Sequence, residues 1–222
     1  MKRLLIIAVL ASACYVALPA QVSHATWVGN NCNGSYATDY YVKRSDAQAY
    51  SWVADNEGYE WGGGCWNDNG KDDTPGAPDS SGEGPDCSGF TFKSWELVNK
   101  YGTSGFTYYD KLYNVHGPYT SYDFHAPASS APFSKLANKD RSTTLYMDAF
   151  AKAGHVAMLY WNFGSNDNND YMIEALSDSS GTDENLETYR FDSSYVGVRR
   201  DDWTQDCWPN CAHPSPSVVV VP

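Results

Sequence analysis

Asp86-Cys87-Ser88-Gly89-Phe90 has the residue types of a reaction centre. Asp86 carries the short polar side chain of a helix N-cap, and Phe90, Trp95 and Val98 give one apolar face behind it. A helix is therefore predicted to open at Cys87 and to end near Tyr101-Gly102. A sulfur on the first turn of a helix lies at the positive end of the macrodipole, among amides that lack intrahelical partners. Both features favour thiolate over thiol, and the same amides suit an oxyanion formed by attack on a carbonyl. Such a nucleophile needs a group that takes its proton and returns it to a leaving amine. Imidazole is matched to that task near neutral pH.

Beyond residue 25 the histidines are His116, His125, His155 and His213. His155 starts the aromatic and apolar run His155-Val156-Ala157-Met158-Leu159-Tyr160-Trp161, which predicts a strand, a rigid support for a proton-transfer group. Tyr171 to Leu176 predicts an antiparallel partner strand, on which Glu174 can reach the second ring nitrogen; an Asn of the intervening loop is the alternative. Ser45-Asp46-Ala47-Gln48 has the spacing of a capping box, with Ala49, Trp52 and Val53 continuing a helix that Gly58 stops. The glycines of Gly58-Tyr59-Glu60-Trp61-Gly62-Gly63-Gly64 permit close backbone approach. Asn67 to Pro85 is a long polar loop, Thr103 to Ser142 predicts loops and short strands, and Tyr189-Arg190-Phe191 and Tyr195 to Arg199 predict further strands.

The order Tyr59-Glu60-Trp61-Gly62-Gly63, Asp86-Cys87-Ser88-Gly89-Phe90, Gly154-His155-Val156-Ala157-Met158-Leu159-Tyr160 and Met172-Ile173-Glu174-Ala175 resembles the NlpC family (NlpC/p60 superfamily) of cell-wall cysteine peptidases. The resemblance spans about Ser45 to Arg200. It implies a papain-like α+β fold, with the cysteine helix packed on an antiparallel sheet. It also implies hydrolysis of peptidoglycan stem peptides, commonly between the side-chain carboxyl of D-glutamate and the next, diamino residue. Carried over by position, Cys87 is the nucleophile and His155 the general base and acid. Tyr59 sits beside the thiolate, Asp86 and Ser88 help to bind the free amino end of the stem peptide, and Trp61 belongs to the substrate-binding set. The third catalytic position, usually His, Asn or Gln, falls on Glu174. A carboxylate there orients imidazole and raises its proton affinity, displacing the activity profile from that of a neutral-amide relative. The loop before Asp86 and the turn between His155 and Glu174 are longer than usual. The family's glycine-aspartate pair before the histidine strand is represented by Asp148, with Met147 in front. Two other functions fit the same residues: a wall-binding module of this fold that has lost turnover, and a related thiol amidase or acyltransferase.

Lys2 and Arg3, the apolar run Leu4 to Leu18 and the small residues of Ser23-His24-Ala25 have the layout of a secretory signal peptide cleaved near Ala25. A lipid anchor at Cys14 lacks the leucine usual three positions earlier, so simple secretion is expected. The chain then divides into a signal at 1–25, a lead-in at 26–44, a catalytic domain at 45–200 and a Cys/Trp/Pro tail at 201–222. With 15 basic against 27 acidic residues the net charge is −12, and losing the signal deepens it. That sign opposes binding to a nucleic-acid duplex except through a local basic patch, and no nucleic-acid partner or membrane span is expected. A monomer without cofactor or metal is expected. The 17 Tyr and 8 Trp are otherwise read as core and strand-surface residues.

Secretion leaves Cys32, Cys65, Cys87, Cys207 and Cys211 in an oxidising compartment, an odd number. If Cys87 is free, the neighbours Cys207 and Cys211 close a tail loop and Cys32 pairs with Cys65. That second bridge stabilises by about 3–4 kcal/mol from chain entropy. A metal site of Cys207, Cys211 and His213 lacks a fourth ligand. Asp68-Asn69-Gly70-Lys71-Asp72-Asp73 has no Glu at the twelfth position of a calcium loop and reads as solvated. Alkylation of the folded protein without reductant should label Cys87 alone; label at Cys32 or Cys207 would overturn this pairing.

Overall fold

Strand His155–Trp161 is buried at every position but its last, so both of its faces are covered and it forms the middle of the structure. The computed structural model describes residues 42–52, 54–65, 84–97, 116–161 and 169–204. In chain order these form β1 (Val42–Lys43), α1 (Arg44–Trp52), β2 (Gly64–Cys65), β3 (Gly84–Pro85) and α2 (Cys87–Ser94). There follow α3 (Ser121–His125), β4 (Phe133–Lys135), β5 (Ala149–Lys152), β6 (His155–Trp161) and β7 (Asp170–Ser177). β8 (Gly181–Glu187), β9 (Val196–Arg200) and β10 (Trp203–Thr204) complete the order. Six strands make one antiparallel sheet in the order β4-β9-β5-β6-β7-β8, with α2 against β6 and β7 and α3 against β5. The class is α+β.

Between helices and sheet lies an aromatic core. Phe124 stacks on Phe133 at 4.6 Å, and Trp95 meets Phe124 edge-on at 5.8 Å. Phe150, Ala157, Leu159, Met172 and Tyr195 form a smaller cluster, drawing on alternate residues of β6. A strand's period of two delivers one set of side chains to each face, which is why both clusters come from the same strand. Among the described residues no helix is long and apolar enough to cross a membrane.

Several elements differ from the expectations. α1 ends at Trp52, before Gly58, because β8 captures the chain: Asn56, in the left-handed region at φ 68, donates to Thr182 O at 2.9 Å, and Glu57 bridges Thr182. Gln48 closes no capping box; its amide donates to Tyr160 O at 2.8 Å. α2 stops at Ser94, well short of Tyr101. Leu97 N donates to Phe92 O and Glu96 N to Lys93 O, with Glu96 left-handed at φ 44; this is a Schellman stop with glutamate at the usual glycine position. Within the stretch expected to hold only loops and strands, Ser121–His125 is a helix, capped by Thr120 and Asp123. Tyr189-Arg190-Phe191 is a turn, because Arg190 reaches Asp170 Oδ2 at 2.6 Å and Thr144 Oγ1 at 2.7 Å. The signal segment, Cys14, Cys32, Cys207, Cys211, His213 and the acidic loop at 68–73 lie outside the described residues, as does the side chain of Cys65.

The turn into β5 is the main tie between layers. Met147 is buried at φ 61, the backbone conformation that glycine adopts at least cost. It is held there by its amide to Leu159 O (2.6 Å) and by Trp95 Nε1, which donates to its carbonyl (2.9 Å). The adjacent Asp148 is fully buried and accepts from Arg44 (2.9 Å) of α1 and Arg199 (2.6 Å) of β9. Burying the Arg44 cation is tolerable only with that carboxylate present. Asp148→Ala should therefore lower unfolding stability by about 3–5 kcal/mol in urea titration. Arg199→Ala, whose side chain is 30% exposed, should cost less. Equal, small losses would refute a buried ionic tie.

Candidate active site

Asp86 caps α2 with extended backbone (φ −85, ψ 173), and its Oδ1 accepts from Gly89 N at 2.7 Å. Cys87 is thereby fixed as the first helical residue, a buried free thiol. The chain around 58–64 crosses this first turn closely. A Cβ on Gly89 would lie 2.3 Å from Gly63 O, so only glycine fits beneath the loop. Gly62 N donates to Asp86 Oδ2 at 3.1 Å and Asp86 N to Gly63 O at 3.0 Å, clamping loop to helix. Tyr59, on this loop, is buried near Cys87 and Asp86; burial first, then their charges, drive its hydroxyl far above the ordinary tyrosine range and keep it neutral. Trp61 is 78% exposed on the rim of the same loop.

β5 and β6 pair as a hairpin through Ala153–Gly154, with Lys152 opposite His155, and this register sets His155 at the start of its strand. Extending the pairing Met158↔Ile173 puts Glu174 opposite Ala157, on the same face as His155 and diagonal to it. His155 Nε2 then donates to Glu174 Oε2 at 2.6 Å, and the other ring nitrogen is left for Cys87, to which His155 is also hydrogen-bonded. Cys87, His155 and Glu174 thus form one connected chain of polar contacts.

Burial of the ring works against its positive charge, but the bonds and charges of Cys87 and Glu174 outweigh it and lift His155 to about 9. At neutral pH His155 is an imidazolium next to a sulfur. The ring thus holds, beside the sulfur, a proton that it can give up.

Two tyrosines missed by the sequence reading complete the site. Tyr189 donates its hydroxyl to Glu174 Oε2 at 3.0 Å, while Glu174 Oε1 is buried without a hydrogen-bond partner. Tyr189 stacks on Tyr195 at 4.3 Å, and His155 meets the two rings edge-on at 5.8 and 6.4 Å. These contacts confine the imidazole. Their signal in the sequence was limited to aromatic residues at strand-like spacing, which says nothing of their aim.

Asp86 and Ser88 also stand together, Ser88 Oγ donating to Asp86 Oδ1 at 3.1 Å, and both are in contact with His116. Among the described residues no group of three or more His, Cys, Asp or Glu side chains is arranged to hold a metal ion.

The charge on Glu174 has a measurable consequence. Any rate that depends on protonated His155 should fall as pH rises through about 9. In Glu174→Gln the raising charge is gone and burial remains, so this limb should move down by more than about one pH unit. An unmoved limb, with the variant folded, would exclude Glu174 as the group that tunes His155.

No protein-family model, curated protein or solved structure matches this chain.

Proposed function

We propose that this chain is a secreted cysteine endopeptidase of NlpC type, with the papain-like fold its motifs imply. Its substrates are stem peptides of bacterial peptidoglycan, cut at the bond between a D-γ-glutamyl residue and the following diamino acid. The observation that carries the reading is His155, hydrogen-bonded to Cys87 on one side and 2.6 Å from Glu174 on the other.

In this reading the sulfur of Cys87 attacks the amide carbon while the amides at the start of α2 stabilise the developing oxyanion. The carbon–nitrogen bond breaks as His155 protonates the departing amine, leaving a thioester on Cys87. Neutral His155 then takes a proton from water, whose oxygen attacks the thioester and frees the carboxylate product and the thiolate. Glu174 stays ionised throughout and keeps the ring aimed, as the orienting carboxylate does in a serine triad. Tyr59 and Trp61 are on the loop clamped to Asp86, so they border whatever peptide approaches Cys87. The −12 net charge fits an enzyme free of nucleic acid, and the N-terminal segment supports an extracellular place of action.

Incubation of the chain with defined muropeptides, read by mass spectrometry, should give the two fragments of one stem-peptide cut. Cys87→Ala should abolish cleavage, by at least about a thousandfold, with an unchanged thermal unfolding midpoint. No cleavage between about pH 4 and 9, with no thioester trapped, would remove the peptidase reading.

A further inference from the structure

The carboxylate next to the nucleophile already holds a cation. His116 Nδ1 lies 2.9 Å from the carbonyl oxygen of Gly117, while Nε2 lies 3.0 Å from Asp86 Oδ2 and 2.7 Å from Ser88 Oγ. Ser88 donates its own proton to Asp86 Oδ1, so it offers His116 a lone pair. A carbonyl and a carboxylate only accept, and both ring nitrogens must therefore carry hydrogen. The contacts describe an imidazolium. They do not describe a serine triad, in which carboxylate and hydroxyl would take opposite ring nitrogens. Burial opposes the charge, but the bond to Asp86 and its charge prevail, and His116 is raised above its ordinary value.

We propose that His116 is a resident cap on a cation subsite. Its imidazolium occupies the two acceptors, Asp86 Oδ2 and Ser88 Oγ, that receive the free α-ammonium group of a peptide substrate, and the substrate must displace it to bind. An ammonium presents the same chemistry as the cap: one positive charge with N–H donors for a carboxylate and a hydroxyl. The subsite adjoins Cys87 in sequence and space, so an amine seated there sets how far along a peptide the thiol strikes. The ring has a fixed anchor to return to. Gly117 is left-handed at φ 86, and a Cβ there would lie 2.5 Å from the ring of Phe92, so the backbone behind His116 is wedged against α2.

The titratable groups around the pair are Asp86 from the cap of α2, Cys87 from its first turn and Tyr59 from the glycine loop. Of these, Asp86 is the charge that acts on His116. The cap is therefore strongest at acidic pH and weakens as His116 loses its proton, because the neutral ring no longer brings the carboxylate a positive charge and gives up one of its two donors. The apparent affinity of a free amine is reduced by the fraction of molecules in the capped state.

The choice of peptide rests on the peptidase reading, and two experiments keep the ideas separable. On a stem peptide with a free amino terminus, KM of the full chain should fall about tenfold between about pH 5.5 and pH 7.5, with kcat changing less. His116→Ala should have a low KM with little pH dependence, while the N-acetylated peptide should show no gain from the substitution. A KM raised by His116→Ala at both pH values, or an unaltered pH slope, would overturn the cap. Independently of turnover, NMR of the wild-type chain at about pH 6 should show the His116 ring resonances moving toward the neutral form on addition of L-alaninamide but not of N-acetyl-L-alaninamide. Resonances that ignore the amine would overturn the cap. A shift without any peptide cleavage would support the subsite and remove the peptidase.

Discussion

A carboxylate withdrawn from water has to be met by donors, and at Asp86 that requirement assembles the site. Its two oxygens accept from Gly89 N, Ser88 Oγ, Gly62 N and His116 Nε2. Those donors come from three places in the chain: the first turn of α2, the glycine loop and the segment entering α3. Each alone would leave Cys87 on a frayed helix end. Joined through one anion, they fix the sulfur, the loop over it and the histidine beside it. The same physics recurs at Asp148, where Arg44 and Arg199 converge and bind α1 and β9 to the start of β5. An unpaired buried charge costs several kcal/mol, so each anion excludes arrangements in which its donors are elsewhere.

What the sequence made legible follows from where its signals are local. The cap at Asp86 is a short-range hydrogen bond, and the apolar length of His155–Trp161 is intrinsic to a strand buried on both faces; both could be read directly. The hairpin partner bearing Glu174 followed from the second strand. The end of α2 was not legible, because its stop uses Glu96 where glycine is the usual mark. β8 was hidden by polar composition. Gly181-Thr182-Asp183-Glu184-Asn185-Leu186-Glu187 is an edge strand of the sheet, paired with β7 along its length and bridged only at Thr182 by Glu57, and half-solvated edges carry charged side chains. The stop of α1 at Trp52 depends on that same strand, so the second error follows from the first.

Met147 illustrates a backbone conformation that the residue type does not announce. The backbone before Asp148 is left-handed, a conformation that glycine adopts at least cost. Methionine fills the core with a side chain that glycine lacks. The conformational cost, roughly 1–2 kcal/mol, is offset by burial of the thioether chain and by the bonds to Leu159 and Trp95. Sequence identity at such a site is negotiable where backbone geometry is not.

The two histidines near Cys87 show how one side chain acquires two roles. Each has one nitrogen on a buried carboxylate, His155 on Glu174 and His116 on Asp86, and each is raised above its ordinary proton affinity. The difference lies at the other nitrogen. For His155 it is a sulfur, which can give and receive a proton, so the ring can cycle between charge states. For His116 it is the carbonyl of Gly117, which can only accept. The ring therefore has no partner at that nitrogen with which to exchange a proton. The partner of the second nitrogen, rather than the carboxylate that each ring faces, is what distinguishes the two histidines.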